Sequence, residues 1–204
     1  HPLSPDVLLV GISERTTAAS LDILCETLFE ETNYTDVIGV ILPENRTAIH
    51  LDMVWTQLDR ELAMVYRPFF FGPTRSGILH RKKGRETITE PTNLFEALKE
   101  VGISMEPVFC GDGSRIARER EQWASGCNFL AVAPGQVVSY ARNEHTLEAL
   151  EKSGFRIVDG NAWLLGDDSF SDSERVVITF SGAELVRGGG GPRCMSCPIL
   201  RDPI

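Results

Sequence analysis

The sequence predicts an α/β protein in which strands alternate with single helices. Short apolar runs rich in Val, Ile and Leu indicate buried strands, and segments with apolar residues every three or four positions indicate amphipathic helices. Gly and Pro stand at the ends of several of these segments, where turns are expected. This order of elements favours α/β units over a helical bundle or a β-sandwich.

In the first half of the chain, both predicted helices have recognisable ends. Thr16 or Thr17 is the expected N-cap of the first helix, because its hydroxyl can accept a hydrogen bond from a free backbone N–H. Gly102 is the expected stop of the second helix, because glycine readily adopts a left-handed conformation. Residues 72–91 are charged and rich in turn-forming residues. The predicted strands span residues 6–12, 37–42, 47–56 and 62–71, and the predicted helices span residues 16–30 and 92–101.

In the second half, a Pro134-Gly135 pair separates two short apolar runs and predicts a hairpin. Gly154 is the expected stop of a single helix that follows this hairpin. The acidic stretch around Asp167, Asp168 and Asp172 is interpreted as a surface insertion. The predicted strands span residues 107–110, 129–133, 136–140, 155–158 and 176–180, and the helix spans residues 143–153.

Composition excludes several classes of protein. The 204 residues suffice for a sizeable core, and the net charge of −9 with scattered basic residues argues against a nucleic-acid partner. No apolar run approaches the roughly 18–20 residues needed to cross a bilayer, and no signal peptide opens the chain, so the expected location is cytoplasmic. The five cysteines lack the dense spacing of a disulfide scaffold and are expected to be reduced.

The most unusual segment lies at residues 187–198, where four consecutive glycines precede Cys194 and Cys197. A phosphate-binding loop is one explanation, but the GxxxxGK[ST] pattern is absent. A zinc or redox site is another, because Cys194 and Cys197 have CxxC spacing, although no second cysteine pair accompanies them. Cys194 as a small buried residue, or as a nucleophile whose neighbouring glycines admit a ligand, are the remaining possibilities.

His50 and Asp52 form a second candidate pair. On a strand they project from the same face about 7 Å apart, and together they offer a general acid/base and an anion for a cationic ligand. A solvated strand face produces the same pattern by chance. The remaining histidines, His80 and His145, are interpreted as surface residues, and the charged run at residues 118–123 most often indicates a solvated face.

Several short motifs occur in the order found in arginine deiminases, and the sequence resembles that family over nearly its whole length. They are Gly-Ile-Ser-Glu-Arg-Thr at 11–16, His-Leu-Asp at 50–52 with Thr56 after it, Arg-Glu-Arg-Glu-Gln-Trp at 118–123, Ala-Pro-Gly at 133–135 and Arg-Cys-Met-Ser-Cys-Pro-Ile at 193–199.

The resemblance implies a fold and an activity. The fold is an α/β propeller, or pentein, of five ββαβ modules around a central channel; about three modules are expected here, so that residues 1–204 form the C-terminal part of a single catalytic domain without its N-terminal modules. The activity is hydrolysis of a guanidinium substrate, most simply L-arginine to citrulline and ammonia in arginine catabolism, through a covalent thiouronium on Cys194. No cofactor or metal is implied.

The resemblance also implies residue roles. Cys194 matches the nucleophile, His50 the acid/base and Asp52 a carboxylate that holds the guanidinium. Arg15 matches a contact to the substrate carboxylate, and Asn128 matches an asparagine that lines the site and is expected to bind the substrate.

Two departures from the family pattern stand out. The acidic Glu-Gly-Gly-Asp motif and a further aspartate that usually lie upstream are absent, and Gly189 stands where an arginine usually meets the substrate carboxylate. Arg187 or Arg193 is the expected substitute. Because the chain begins at His1 without an initiator Met, it is expected to be an inactive fragment that forms a homo-oligomer or pairs with a missing N-terminal segment.

Three roles stay open after the resemblance is considered. An amidinotransferase uses the same Cys, His and Asp chemistry to pass the amidino group to an amine, and a remnant of the fold that only binds is the third possibility; residues 195–198 favour the deiminase over the transferase. Cys197 is expected to be structural, with a redox partnership to Cys194 as the alternative.

Overall fold

A computed structural model describes residues 1–200, which form a mixed α/β protein with three sheets and six α-helices. The described part of the chain divides into two compact units. The first contains His1–Leu51 and Pro68–Ser104, and the second contains Asp52–Arg67 and Met105–Ile199. Among residues 1–200, no helix combines the length and the apolar character needed to cross a bilayer.

The first unit has one three-stranded sheet with a helix packed against it. Leu21 and Cys25 of that helix are buried together with Val37 of the sheet and form this part of the core. Thr17 caps the helix by accepting a hydrogen bond from the backbone N–H of Ser20. The sheet order is β1-β2-β5, and the elements are β1 (Val7–Ile12), α1 (Ala18–Glu31), β2 (Asp36–Ile41), β5 (Ile78–Lys82) and α3 (Leu94–Glu100).

The second unit has two sheets that share one pairing pattern. In each, an antiparallel hairpin is followed along the chain by a strand that pairs in parallel with the second strand of the hairpin. One sheet has the order β3-β4-β6 and the other has the order β7-β8-β10-β9. The elements are β3 (Trp55–Gln57), β4 (Leu62–Val65), β6 (Glu106–Phe109), α4 (Arg115–Trp123), β7 (Leu130–Ala133), β8 (Gln136–Tyr140), α5 (Glu144–Lys152), β9 (Arg156–Asp159), α6 (Gly160–Leu165) and β10 (Val176–Phe180); the short helix α2 (Arg67–Phe70) lies where the chain passes from the second unit to the first.

Most predicted elements are confirmed to within two residues, including the hairpin of β7 and β8. Gly135 in the turn between them has φ +77°, and Gly102 after α3 has φ +81°, so both adopt the left-handed region that favours glycine. The prediction of a strand over residues 47–56 is wrong. That segment forms two 3₁₀ turns, Arg46–Ala48 and Leu51–Met53, and only its end belongs to β3.

The physical reason lies at Asn45, whose side chain accepts a hydrogen bond from the backbone N–H of Thr47 and closes a turn in place of an extended conformation. Two further predictions are wrong. The strand predicted over residues 62–71 ends at Val65 and gives way to α2, in which Pro68 removes a backbone donor that a longer strand would need. The region at residues 72–91, predicted to consist of turns, contains β5.

His80 is buried, so its interpretation as a surface residue is wrong. It lies on β5 with 7% of its surface exposed, and its Nε2 is 2.7 Å from Oδ1 of Asp36 on the neighbouring strand. The charged residues around β5 concealed a strand whose alternate side chains, Ile78 and His80, point into the unit.

Candidate functional site

The glycine segment, residues 188–191, precedes Cys194 and packs tightly against its surroundings at its end. A Cβ atom at Gly191 would lie 2.7 Å from Oδ1 of Asn128, and one at Gly190 would lie 2.8 Å from Cβ of Cys194. Gly190 also has φ +87°. These two positions therefore require glycine, because any side chain would push the segment away from Asn128 or from the cysteine.

Asn128 lies at the centre of the site and is fully buried. Its Oδ1 accepts hydrogen bonds from the backbone N–H groups of Gly191 at 3.0 Å, Arg193 at 3.1 Å and Cys194 at 3.3 Å. Its Nδ2 donates to Sγ of Cys194 and to the carbonyl oxygen of Asp52, each at 3.2 Å. One amide side chain thus joins the cysteine segment to the chain at Asp52.

Asp52 presents its carboxylate to the same sulfur. The thiol of Cys194 donates to Oδ2 of Asp52 at 3.6 Å, and Nε of Arg193 lies 3.7 Å from the same oxygen. Oδ1 of Asp52 is buried and has no hydrogen-bond partner among the described residues. A buried carboxylate oxygen without a donor is costly, and a ligand with N–H groups would satisfy it.

The surroundings of Cys194 favour its neutral form. Burial raises the pKa of the Cys194 thiol above its ordinary value, and the negative charge of Asp52 raises it further. Hydrogen bonds to the sulfur from the backbone of Gly191 and the side chain of Asn128 lower the pKa but do not cancel the increase. These surroundings therefore favour the thiol over the thiolate.

Tyr140 is a residue of this site that the sequence did not indicate. It is buried at the end of β8, and its hydroxyl donates to the carbonyl oxygen of Gly190 at 3.4 Å. A Cβ atom at Gly182 would overlap the Tyr140 ring, so a third glycine makes room for it. Tyr140 therefore supports the glycine segment through this hydrogen bond.

The other predicted site residues lie in different settings. His50 and Arg15 are exposed and belong to the first unit, while Cys194, Asp52 and Asn128 belong to the second. His50 and Asp52 do not share a strand face, so the derivation of their spacing from a strand is wrong because that strand is absent. Their roles remain predictions.

The two predicted substitutes for the missing arginine differ from each other. Arg187 is exposed and pairs with Glu184, its Nε lying 3.0 Å from Oε2. Arg193 is three-quarters buried beside Asp52. Gly189 has φ +81° and ψ 152°, a combination that only glycine adopts readily, so an arginine there requires a different local backbone.

The charged run at residues 118–123 is not wholly solvated. Glu121 on α4 is buried, and its carboxylate accepts hydrogen bonds from the backbone N–H of His145, the backbone N–H of Thr146 and the Thr146 hydroxyl. It therefore caps the N-terminus of α5 from a neighbouring helix. Gln122 is also buried and donates to the carbonyl oxygen of Met53. Within residues 1–200, no three His, Cys, Asp or Glu side chains are grouped so that they could hold a metal ion.

The fold resembles that of a known amidinotransferase. The solved structure described as SxtG, an amidinotransferase from Microseira wollei in the saxitoxin biosynthetic pathway, matches 96% of this chain and 45% of its own chain, with a TM-score of 0.58 and 18% sequence identity. A likeness at this level of identity defines the fold alone. The chain therefore shares its α/β fold with this solved structure.

The family is defined by sequence. The sequence model of the family "Arginine deiminase" matches residues 1–201, and the chain belongs to that family. It is 37% identical over 209 residues to the arginine deiminase of Limosilactobacillus reuteri. The matched region covers 99% of this chain and 46% of that protein. The arginine deiminase of Streptococcus gordonii is 37% identical over 206 residues, with 99% and 45% covered. The chain thus spans about half the length of the curated relatives it matches.

Proposed function

We propose that this chain is the C-terminal part of a catalytic domain that hydrolyses a guanidinium substrate, most simply L-arginine to citrulline and ammonia. The observation that carries the proposal is the buried, unpartnered Oδ1 of Asp52, whose carboxylate also accepts from the Cys194 thiol. A guanidinium supplies the N–H donors that this open oxygen lacks, and its central carbon is then held beside the sulfur.

The reaction proceeds in two halves. The Cys194 thiol gives its proton to His50, the thiolate adds to the guanidinium carbon and forms a C–S bond, and a C–N bond then breaks as the leaving nitrogen takes that proton from His50 and departs as ammonia. A water molecule adds to the resulting thiouronium carbon and gives a proton back to His50. The C–S bond breaks, the thiol is restored and a ureido product leaves.

The charge of the substrate itself activates the nucleophile. In the protein without a ligand, Asp52 disfavours a second negative charge on Cys194 and so keeps the thiol protonated. A bound guanidinium cation offsets the charge of Asp52 and favours the thiolate. The reactive form of the cysteine is therefore produced where a substrate is present to receive it.

The repeated pairing pattern supports the propeller of ββαβ modules. The β3-β4-β6 and β7-β8-β10 strands each combine an antiparallel hairpin with a parallel strand, which is the order that a ββαβ module generates. About three such modules in residues 1–204 would form part of a five-module ring within one catalytic domain. A homo-oligomer or an N-terminal segment would complete the ring, and the protein would act in the cytoplasm.

The three arginines near the proposed substrate are expected to make different contacts. Arg15 and Arg187 are exposed and can meet the α-carboxylate of arginine, in the absence of an arginine at Gly189. Arg193 instead faces Asp52 and shields its charge until a substrate guanidinium displaces it. Within residues 1–200, Asp52 is the carboxylate proposed to hold the substrate guanidinium, and residues 1–204 alone are expected to be inactive.

An amidinotransferase is the second candidate, because the amidinotransferase SxtG shares the fold. The two activities differ in what attacks the thiouronium, which is water in a hydrolase and an amine in a transferase. Incubation of the full-length protein with arginine, with and without glycine, separates them: citrulline and ammonia indicate hydrolysis, while ornithine and an amidino-glycine product indicate transfer.

The test of the nucleophile is Cys194→Ala in the full-length protein, with Cys197→Ala as the matched control. Removing a nucleophile costs about a millionfold in turnover, so Cys194→Ala should abolish citrulline formation. Cys197 lies three residues away and is exposed, and among the described residues it has no hydrogen bond to Asp52 or Asn128. Normal turnover in Cys194→Ala, or loss of activity only in Cys197→Ala, would refute the proposal.

A further inference from the structure

The amide of Asn128 has no hydrogen-bonding capacity left for a substrate. A primary amide offers two N–H donors and an oxygen with two lone pairs. Both donors are used, one by Sγ of Cys194 and one by the carbonyl oxygen of Asp52, and the oxygen accepts from three backbone N–H groups. The side chain is also completely buried.

We infer that the Asn128 side chain is a positioning residue for the nucleophile and not a contact to the substrate. Its oxygen holds the segment from Gly191 to Cys194 in place, and its nitrogen stabilises the developing negative charge on the sulfur. This inference rests on the proposed role of Cys194 as the nucleophile. It replaces the substrate-binding role that the family resemblance implied for Asn128.

The two ends of the amide act on different properties of the site. Three backbone N–H groups that converge on Oδ1 fix the conformation of the segment, since without Asn128 they would lose their shared acceptor. The N–H that points at Sγ is worth more when the sulfur is a thiolate, because hydrogen bonds to charged acceptors are stronger. Consistent with this, the Asn128 hydrogen bond lowers the pKa of Cys194 against the effects of burial and Asp52.

The backbone before Asn128 is built to hold the amide rigidly. Ser125 has φ +62°, and among residues 1–200 it is the one residue other than glycine with a positive φ. Its carbonyl oxygen accepts from the N–H of Asn128 at 3.0 Å. A Cβ atom at Gly126 would lie 2.7 Å from Sγ of Cys110 and 2.8 Å from the carbonyl oxygen of Glu121. A strained, tightly enclosed turn of this kind marks a position whose geometry is held by its surroundings.

Asn128→Asp and Asn128→Ala separate the two ends of the amide. An ionised aspartate keeps an acceptor for the three N–H groups, offers no donor to the sulfur and adds a negative charge beside it, while alanine removes both the acceptor and the donor. Asn143→Ala is the control, because Asn143 is also fully buried in the second unit and its Nδ2 donates to the carbonyl oxygen of Ala124, away from Cys194. It measures what the loss of a buried asparagine costs by itself.

The principal readout is the rate at which iodoacetamide alkylates Cys194 as a function of pH, followed by peptide mass spectrometry in the full-length protein. The titratable groups beside the sulfur are Asp52 and Tyr140, and Arg193 faces Asp52, so these stay unchanged in every variant. Both Asn128 variants should shift the profile to higher pH, with alkylation at fixed pH slower by about 10- to 150-fold, the range for a hydrogen bond to a charged group. Asn143→Ala should leave the profile in place.

The kinetic readout is the division between kcat and KM for arginine. Loss of the nucleophile's support should lower kcat by a similar factor and leave KM nearly unchanged, since Asn128 does not contact the substrate. A raised KM with an unaltered alkylation profile would show that Asn128 binds substrate and would overturn the inference. The inference would also be overturned if Asn128→Ala and Asn143→Ala showed the same alkylation profile. If the parent protein hydrolyses no guanidinium, the proposed function fails, but the alkylation profiles still decide the role of Asn128.

Discussion

Asp36 and Asp52 are both largely buried aspartates, and the contacts around them differ. The carboxylate of Asp36 accepts from the Thr35 hydroxyl at 2.7 Å, contacts His80 Nε2 at 2.7 Å and lies 3.6 Å from Lys82 Nζ. Asp52 keeps one buried oxygen without a hydrogen-bond partner among residues 1–200. A buried carboxylate whose oxygens are all satisfied stabilises the fold, whereas one with an open oxygen is prepared for a ligand.

The largest expected effect comes from exchanging the two carboxylates in turn for amides. Asp52→Asn removes the charge that holds a guanidinium, and turnover of arginine should fall by about a hundredfold or more because the substrate loses its alignment. Its free energy of unfolding should change by less than about 1 kcal/mol, since no strong structural contact is lost. Turnover is measured as citrulline formation and stability by urea unfolding.

Asp36→Asn is the matched variant and should show the opposite pattern. It weakens a buried contact to His80 and should cost about 1–3 kcal/mol of stability, with little change in kcat once the protein is folded. Equal loss of turnover in both variants would remove the distinction between them.

A smaller effect concerns the reactivity of Cys194 in the protein without substrate. Because burial and Asp52 raise the pKa of the thiol, its alkylation should accelerate only at pH values above those of an ordinary cysteine. Asp52→Asn removes the neighbouring charge and should move this acceleration to lower pH. The measurement is the rate of Cys194 labelling between pH 6 and pH 10, about the range in which thiols titrate. A profile that does not move in Asp52→Asn would mean that Asp52 does not govern the thiol.

The smallest expected effect is on how the free energy of unfolding falls at acid pH, which is called the acid limb below. Burial alone would raise the pKa of Asp36, but hydrogen bonds from Thr35 and His80 and the charge of Lys82 lower it below its ordinary value. A pKa lowered by folding contributes stability that is present above the unfolded pKa and is lost as the pH falls through the folded pKa. Below pH 4, about the range in which an ordinary aspartate titrates, the free energy of unfolding measured in urea should therefore fall less steeply with decreasing pH in Asp36→Asn than in the parent. Identical acid limbs would contradict this assignment.

The sequence predicted the elements whose local patterns agree with their tertiary setting. The helix ending at Gly154 and the hairpin at Gly135 have clear periodicity and turn residues, and both are confirmed. The strand predicted over residues 47–56 is wrong because alternating apolar residues are typical of a strand, while the side chain of Asn45 closes a turn there. His80 misled it because its partner, Asp36, is 44 residues away and local patterns carry no information about such contacts.

The site divides in the same way. Cys194 was conspicuous from its glycine neighbours, Asp52 from its spacing to His50, and the family resemblance directed attention to Asn128. The five hydrogen bonds of the Asn128 amide and the support from Tyr140 depend on segments far apart in the chain, so no spacing rule could have shown them. For the same reason, the positions of His50 and Arg15 relative to Cys194 stay predictions.

The open oxygen of Asp52 has a practical consequence for the choice of denaturant. Guanidinium chloride delivers at molar concentration the same planar cation that the carboxylate is proposed to bind. An ion that binds the folded state and not the unfolded one adds stability that grows with its concentration, which opposes the denaturing effect and bends the linear extrapolation. Unfolding in guanidinium chloride would therefore overestimate the free energy of unfolding of the parent relative to that of Asp52→Asn. Unfolding in urea, which carries no charge, avoids this difference.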